Sequence, residues 1–223
     1  MTDSSNGTTW VLSEKFEGTF EKVRVLQEHV RRYSLAPDQV PVSIEDLQWA
    51  IEDVYRMKIS KVLVDFDAEH IRGMMERYSD GRANVYVRSN QDADPQQNLY
   101  WRRFISVKEM IHIAIDEKDD FSPQGSETIE ELIRNHTLEA LKPAKSEIQS
   151  EALAELAAFE LLYPMEFRAR DIAHSLPLGS LAAHYQVPNY VIERCLEPGY
   201  MKMARATWNE ISGHGLGGLN SNP

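Results

Sequence analysis

The stretch Tyr100–Glu117, YWRRFISVKEMIHIAIDE, is the part of the chain around which the fold is predicted to form. On a helix with about 100° between successive residues, its second half is apolar on nearly all sides, which indicates a core helix. One arc of the helical wheel is nevertheless polar and contains Lys108, Glu109, His112 and Asp116. Burying these groups is unfavourable unless each has a partner, so the arc predicts a metal, a counter-charge or a substrate opposite it.

The spacing of Glu109 and His112 indicates a metallopeptidase motif. Zinc endopeptidases use H-E-x-x-H, in which two histidines four residues apart bind one zinc ion and the glutamate between them polarises a water. The corresponding run here is Lys108-Glu109-Met110-Ile111-His112, which keeps the glutamate and the second histidine and has lysine in place of the first. Two matched positions are a weak signal by themselves, so the surrounding sequence decides the interpretation.

Three further features accompany this run. The alternating stretch Ala83–Arg88 and the turn Arg102-Arg103-Phe104 precede it, and Glu151–Pro164, EALAELAAFELLYP, follows it. In this order they resemble the ImmA/IrrE family of metallo-endopeptidase-like proteins. In that family a short strand and an R-R-F turn lead into H-E-x-x-H, and a second helix reads roughly E-x-x-A-[N/D]-x-x-A-x-x-L-L-x-P. The resemblance covers about Asn84 to Leu196.

The resemblance implies an α+β, mostly helical fold. Its zincin-like core consists of a short sheet, the active-site helix and the second-motif helix, with helical additions at both ends. The corresponding division of the chain is a disordered tail (1–12), N-terminal helices (13–57), the zincin-like core (58–175), a C-terminal helical hairpin (176–211) and a flexible tail (212–223).

The resemblance also implies site residues. In an active relative, His112 and Glu151 would be metal ligands and Glu109 would be the general base. Lys108 occupies the first-ligand position, and a protonated ammonium cannot coordinate zinc. Two ligands then remain of the three that hold a catalytic zinc firmly. Glu155 stands where the family has Asn or Asp.

A physical alternative explains Lys108 and Glu155 together, since both depart from the family pattern. The Lys108 ammonium would lie where the zinc would have been and form a buried charge cluster with Glu109, Glu151 or Glu155. Breaking one side of such a cluster typically costs about 3–5 kcal/mol. On this interpretation the protein needs no cofactor, and zinc is expected only if the site is active.

The predicted function is that of a catalytically degenerate regulator, a pseudoenzyme in bacteria or phage. It would act by binding a protein or peptide partner such as a repressor or a stress regulator. One alternative is an active zinc-dependent endopeptidase that cleaves such a regulator. A second alternative is a DNA-binding regulator that uses Leu178–Leu196 as a helix-turn-helix. A helical hairpin packed on the core is favoured for that segment, because its second helix offers Arg194 against Glu193 and Glu197.

Composition excludes several other classes. The formal charge of −11 argues against general nucleic-acid or anionic-membrane binding, which depends on clustered Lys and Arg. No run approaches 18 uncharged apolar residues, and the first residues lack the basic and then apolar pattern of a secretory signal. The only cysteine, Cys195, excludes an intrachain disulfide and fits a reducing compartment. We therefore expect a cytoplasmic protein that has no membrane partner.

Periodicity and turn residues predict the remaining elements. Helices are expected at Ser13–Tyr33, from Ser43 to about Met57, and at Asp67–Arg77, Ser126–Leu141, Glu147–Tyr163 and Phe167–His174, and strands at Ile59–Phe66 and Ala83–Arg88. Glu160 falls on the far side of its helix from Glu151 and is expected to be solvated. Arg102 and Arg103 are expected to pair with acidic loop residues, because the N-terminal end of a helix disfavours positive charge.

Overall fold

The computed structural model describes residues 13–36, 39–68, 70–116 and 146–212. These form eight helices and a three-stranded sheet, so the fold class is α+β and mostly helical, as predicted. The elements are α1 (Ser13–Tyr33), α2 (Ile44–Tyr55), β1 (Lys58–Val64), β2 (Gly73–Arg77), β3 (Arg82–Arg88), α3 (Pro95–Ile115), α4 (Ser146–Leu162), α5 (Met165–Ala173), α6 (Leu178–Tyr185), α7 (Asn189–Leu196) and α8 (Pro198–Ile211). The predicted helix at Ser126–Leu141 and both predicted tails, apart from Ser212, lie outside the described residues.

The sheet has the strand order β1-β3-β2, with β3 parallel to β1 and antiparallel to β2. Residues of β3 alternate, so that Ala83, Val85 and Val87 are buried while the residues between them are partly exposed. This alternation is the period of a strand with one face on the core. The buried face packs against α3, and β2 forms one edge of the sheet beside that helix.

The prediction of a helix at Asp67–Arg77 is wrong. Residues Gly73–Arg77 form β2, in which Met75 pairs with Val85 of β3. Local propensity is a weak guide in a segment this short, because pairing with a neighbouring strand can override it. The structure therefore has a strand next to the central helix that the local sequence does not indicate.

The central helix α3 begins earlier than predicted, at Pro95. The Asp94 carboxylate caps it by accepting hydrogen bonds of 2.8 Å from both Gln96 N and Gln97 N. Proline suits the first helical position because its missing N–H would have no intrahelical partner there. As predicted, the second half of α3 is buried on nearly all sides, with Val107, Met110 and Ile111 fully buried.

Helix α4 packs against α3 in the antiparallel sense. Phe104 of α3 stacks on Phe159 near the end of α4, with ring centroids 5.7 Å apart. Eight residues further along α3, His112 lies 3.1 Å from the hydroxyl of Ser150, near the start of α4. The two sequence motifs are therefore placed side by side.

Arg103 lies at the junction of α3 with the segment before α2. Its guanidinium donates a hydrogen bond to the backbone carbonyl of Val42. Burial lowers the pKa of Arg103 to about 10, and the nearby Glu45 carboxylate opposes that shift. The prediction of pairing with acidic loop residues thus needs correction for Arg103, whose hydrogen bond goes to a main-chain oxygen.

The prediction that Glu160 is solvated is wrong. Its side chain is fully buried and lies 2.9 Å from the guanidinium of Arg168, which is also fully buried. Tyr200 and Trp208 of α8 donate hydrogen bonds of 2.6 and 2.9 Å to its two carboxylate oxygens. The sequence did not indicate that α8 covers this side of α4. The helical wheel therefore predicted an exposed carboxylate at Glu160.

The predicted helical segment Leu178–Leu196 consists of α6 and α7, joined through Gln186 in the left-handed conformation. Val191, Ile192 and Cys195 belong to the hydrophobic core, so this hairpin packs on the rest of the domain. On the solvent side of α7, Arg194 pairs with Glu197 at 2.8 Å. In the part of the chain that the structure describes, no helix is long and apolar enough to span a membrane.

The buried pair of Glu160 and Arg168 gives a prediction for stability. Replacing Glu160 with Gln should lower the free energy of unfolding by about 3–5 kcal/mol, because it leaves the Arg168 charge buried without a counter-charge. Glu166→Gln is the matched control, since Glu166 pairs with Arg31 at 2.6 Å while both side chains are nearly half exposed. That pair should contribute about 1 kcal/mol or less. Urea unfolding of Glu160→Gln and Glu166→Gln measures the loss of unfolding free energy in each variant, and equal losses would contradict the prediction.

Candidate functional site

The predicted site residues of the two motifs meet where α3 packs against α4. The Lys108 ammonium lies 2.5 Å from Glu151 Oε2 and 3.2 Å from Glu109 Oε1. His112 Nε2 lies 3.4 Å from the other oxygen of the same Glu151 carboxylate. One carboxylate from α4 therefore contacts two basic groups that are one turn apart on α3.

Lys108 is held as a cation. Its side chain is 16% exposed, and burial by itself would lower the pKa of the ammonium. The negative charges of Glu109 and Glu151 outweigh burial and raise the pKa of Lys108 above its ordinary value. An ammonium in this state has no lone pair for a metal or for nucleophilic attack, so it acts here as a fixed positive charge.

Glu109 is nearly buried, and strand β2 passes directly over it. A Cβ atom on Gly73 would lie 2.8 Å from Glu109 Cγ and 2.5 Å from Ile105 Cγ2, closer than such atoms approach one another. Only glycine therefore lets β2 lie this close to α3. Packed against Gly73 in this way, the Glu109 carboxylate lies 3.2 Å from the Lys108 ammonium.

His112 is oriented by two groups on one side of its ring. Nδ1 lies 3.0 Å from Asp116 Oδ2 and 3.1 Å from Ser150 Oγ, and the Ser150 hydroxyl donates to Asp116 Oδ1 at 2.5 Å. This set resembles a Ser-His-Asp triad only in composition. In a triad the serine and the aspartate contact opposite ring nitrogens. Here both contact Nδ1, so Ser150 is not an activated nucleophile.

The protonation of His112 follows from the carboxylates around it. Burial lowers the pKa of the imidazole, but hydrogen bonding to Asp116 and Glu151 and the charge of Glu109 raise it to about 10. For Glu151, burial raises the pKa, while His112 and Lys108 together lower it to about 2. Near neutral pH the cluster therefore contains an imidazolium and an ammonium on one shared carboxylate.

Glu155 lies one turn from Glu151 but has a different partner from the one predicted. Its carboxylate accepts a hydrogen bond of 2.9 Å from the hydroxyl of Tyr190 in α7. Among the contacts of the described residues, Lys108 reaches Glu109 and Glu151, and none joins it to Glu155. The charge cluster is therefore Lys108 with Glu109 and Glu151, and Glu155 instead ties α4 to the C-terminal hairpin.

Tyr190 continues into an aromatic contact with the start of α3. Its ring stacks on Trp101 with centroids 6.1 Å apart. The Arg72 guanidinium, next to β2, lies 4.1 Å from the Trp101 ring centroid. This column of side chains borders the charge cluster and links the sheet, α3 and α7.

The donors that the described residues bring to this cluster do not by themselves fit a resident zinc ion. Zinc is held by three or more protein ligands, and the resemblance provides two here, His112 and Glu151. The third position is Lys108, whose ammonium already contacts the Glu151 carboxylate. Among the described residues, no group of three or more His, Cys, Asp or Glu side chains is arranged to hold a metal.

Comparison of the chain with protein-family models, with curated proteins and with solved structures found no match. The site geometry and the motifs are therefore the basis for any functional assignment.

Sequence reasoning did not identify three residues that organise this site. Ser150 immediately precedes the second motif, Gly73 lies in the segment predicted as a helix, and Tyr190 lies in the hairpin. The signal for Gly73 was available in principle, because an isolated glycine in a strand often marks a close backbone approach. Ser150 and Tyr190 carry no local signal, since each acts through a tertiary contact.

The pKa shifts of His112 and Glu151 predict how stability depends on pH. The His112 pKa rises from 6.5 to about 10 on folding, so its contribution is complete below pH 6.5 and is lost towards pH 10. The Glu151 pKa falls from 4.5 to about 2, so its contribution is complete above pH 4.5 and is lost towards pH 2. Both contributions to the free energy of unfolding are therefore complete between pH 4.5 and pH 6.5. Urea unfolding at a series of pH values measures the profile.

The control for that profile is His112→Gln, which cannot be protonated. The difference in unfolding free energy between the unsubstituted protein and this variant should shrink as pH rises from 6.5 to 10. A difference that stays constant over this range would contradict the assignment of the alkaline slope to His112.

The close approach at Gly73 predicts a steric effect at the site. Gly73→Ala should destabilise the fold by about 1–3 kcal/mol, the usual cost of overpacking, because the new methyl group meets Ile105 and Glu109. Gly179→Ala is the control, since a Cβ there meets nothing within 4 Å. Thermal unfolding compares the two, and a neutral Gly73→Ala would mean that β2 can move away from Glu109.

Proposed function

We propose that this chain is an ImmA/IrrE-like peptidase-fold protein with a zincin-like core whose catalytic centre is degenerate. It is a cytoplasmic regulator of bacterial or phage origin that acts by binding a protein partner, such as a repressor or a stress regulator. The observation that carries the proposal is the contact of the Lys108 ammonium with Glu151. The residue in the first-ligand position thus engages the residue that would be the third ligand.

The state of Glu109 supports the loss of catalysis. A general base must reach a water or a substrate proton at hydrogen-bond distance. Glu109 is instead nearly buried, with Gly73 against its side chain and Lys108 at 3.2 Å from Oε1. Its carboxylate neutralises an internal cation, which is a structural role.

The edge position of β2 supports partner binding. An edge strand can bind an extended peptide by adding it as a further strand, with main-chain hydrogen bonds providing affinity. β2 is an edge of the sheet and lies beside α3, next to the charge cluster. A degenerate peptidase that keeps this edge retains a surface for an extended segment of its partner after losing cleavage.

The first experiment measures metal content and peptidase activity on purified protein. We expect much less than one equivalent of zinc and no cleavage of peptides, because Lys108 provides a charge where a ligand is needed. Stoichiometric zinc that a chelator removes together with peptidase activity would overturn the proposal in favour of an active endopeptidase. In that case Glu109→Gln should abolish cleavage and leave zinc binding intact.

The second experiment locates the partner surface. A photo-crosslinking amino acid at Met74 in β2 should capture the partner, and one at Val62 in β1 should not. The two side chains are a matched pair, because both are 40% exposed and lie on opposite edge strands. The captured protein is then identified by mass spectrometry, purified and tested for direct binding. Equal capture at both positions, or binding only to nucleic acid, would contradict the proposed surface.

A further inference from the structure

Two arginines stand at the two ends of the edge strand β2. Arg72 immediately precedes the strand, and Arg77 is its last residue. Between them, the Met74 side chain is exposed and the Met75 side chain packs partly buried against the core. The whole chain has a formal charge of −11, so a cation at each end of this strand is a local departure from the charge of the protein.

The hydrogen bonds to β3 show which main-chain groups of β2 face its open side. Arg88 N donates to Arg72 O at 2.9 Å, and Tyr78 N donates to Arg82 O at 2.8 Å. In an antiparallel pair, residues that bond to the neighbouring strand alternate with residues whose N–H and C=O groups point away from it. The residues that point away are the odd-numbered ones, Gly73, Met75 and Arg77. Among the described residues, no strand pairs with this open side.

The Arg72 guanidinium is held in place by aromatic rings. It lies 4.1 Å from the ring centroid of Trp101, which in turn stacks on Tyr190. A guanidinium held by a ring face still has N–H groups available for a bidentate contact with a carboxylate. Because the side chain is positioned before a partner arrives, less conformational entropy is lost when that contact forms.

Arg77 is exposed, and the carboxylate next to it in the chain is already engaged. Glu76 accepts hydrogen bonds of 2.8 and 2.9 Å from the hydroxyls of Tyr78 and Tyr86. Within the described ranges of the chain, no carboxylate forms an ion pair with Arg72 or Arg77. Both ends of the open side of β2 therefore present a positive charge to an incoming chain.

We propose that the partner segment that adds to β2 is an extended apolar stretch with an acidic residue at each end. The two acidic residues are about five positions apart, or about 17 Å in an extended strand, because they pair with Arg72 and Arg77. Apolar residues between them contact Met74 and Met75, whose flexible side chains adapt to different neighbours. The inference rests on the proposed function, since it takes strand addition at β2 as given, and it adds the chemistry that this strand selects.

Two charge effects predict opposite results, which makes the preference a sharp test. The net charge of the chain attracts basic peptides and repels acidic ones, so non-specific binding favours lysine at the ends of the segment. Local contacts with Arg72 and Arg77 favour aspartate or glutamate there. Tighter binding of peptides with acidic ends therefore cannot result from the net charge of the protein.

A synthetic peptide array probed with the full chain tests the proposal. The peptides have Val, Ile, Thr or Leu at four central positions, and the two flanking positions, five apart, are Glu, Gln or Lys in three matched sets. Fluorescence anisotropy then measures Kd for the strongest binders and their matched peptides. Each Glu in place of Gln should tighten binding about two- to fivefold, the range for exposed ion pairs, and Lys should weaken it. This comparison requires no protein variant.

Substitutions assign the preference to the two arginines. Arg72→Gln should remove the preference for Glu at one end of the peptide and Arg77→Gln at the other end, which also gives the direction of the added strand. Arg205→Gln is the matched control, because it removes an exposed arginine of α8 and should change neither preference. N-methylation of alternate peptide nitrogens should abolish binding in one of its two registers, because it removes the N–H donors that pair with β2.

The inference and the proposed function fail in different ways. Equal binding of Glu and Gln peptides, tighter binding of Lys peptides, or a Glu preference that persists in Arg72→Gln and Arg77→Gln would overturn the inference alone. A dimer of the chain that Arg77→Gln dissociates, or tighter binding of a single-stranded oligonucleotide than of any peptide, would assign β2 to another occupant and overturn it as well. Binding that N-methylation leaves unchanged, or no binding by any peptide, would contradict strand addition at β2 and so the surface named in the proposed function.

Discussion

The fold depends on neutralising charge inside the interface between α3 and α4. Both helices are needed to build the core, yet each has ionisable side chains on a face that the other covers. Isolated charges in such a place are too costly to bury, so they must be paired with good geometry. Lys108 and His112 from one helix share the Glu151 carboxylate from the other, and this arrangement sets the position of the helices along each other.

Helix α4 is held in this way on two opposite sides. Glu151 and Glu160 are nine residues apart, which at about 100° per residue places them on opposite sides of the helix. Glu151 neutralises the basic groups of α3, and Glu160 neutralises Arg168 while it accepts hydrogen bonds from α8. The second cluster has no access to solvent and is structural. The first cluster is partly open to solvent, because the Glu151 side chain is 31% exposed.

The limits of sequence reasoning follow from the range of each interaction. The central helix, the second-motif helix and the strand β3 were predictable, because their apolar periodicity records which face is buried. The convergence of His112 and Glu151 was also predictable from the two motifs taken together. The strand at Gly73 was not predicted, because the short segment GMMER becomes a strand by pairing with β3, which follows it after a short turn, and shows no clear alternation of its own. The burial of Glu160 was not predicted either, because it depends on α8, which is distant in the chain. The partner of Glu155 was likewise not predicted, because Glu155 accepts its hydrogen bond from Tyr190 of α7, while Lys108 contacts Glu151.

An internal cation and a bound metal differ in one physical respect. A metal dissociates, so a site that needs it couples folding to the metal concentration and to the pH that sets ligand protonation. A lysine at the same place is covalently attached and cannot be lost by dilution or chelation. The lysine cannot replace the metal in chemistry, however. An ammonium has no lone pair and no open coordination position, so it cannot activate water. The permanent charge of Lys108 therefore holds the Glu109 and Glu151 carboxylates at the junction of α3 and α4 at any metal concentration, which is what the proposed partner-binding role would require.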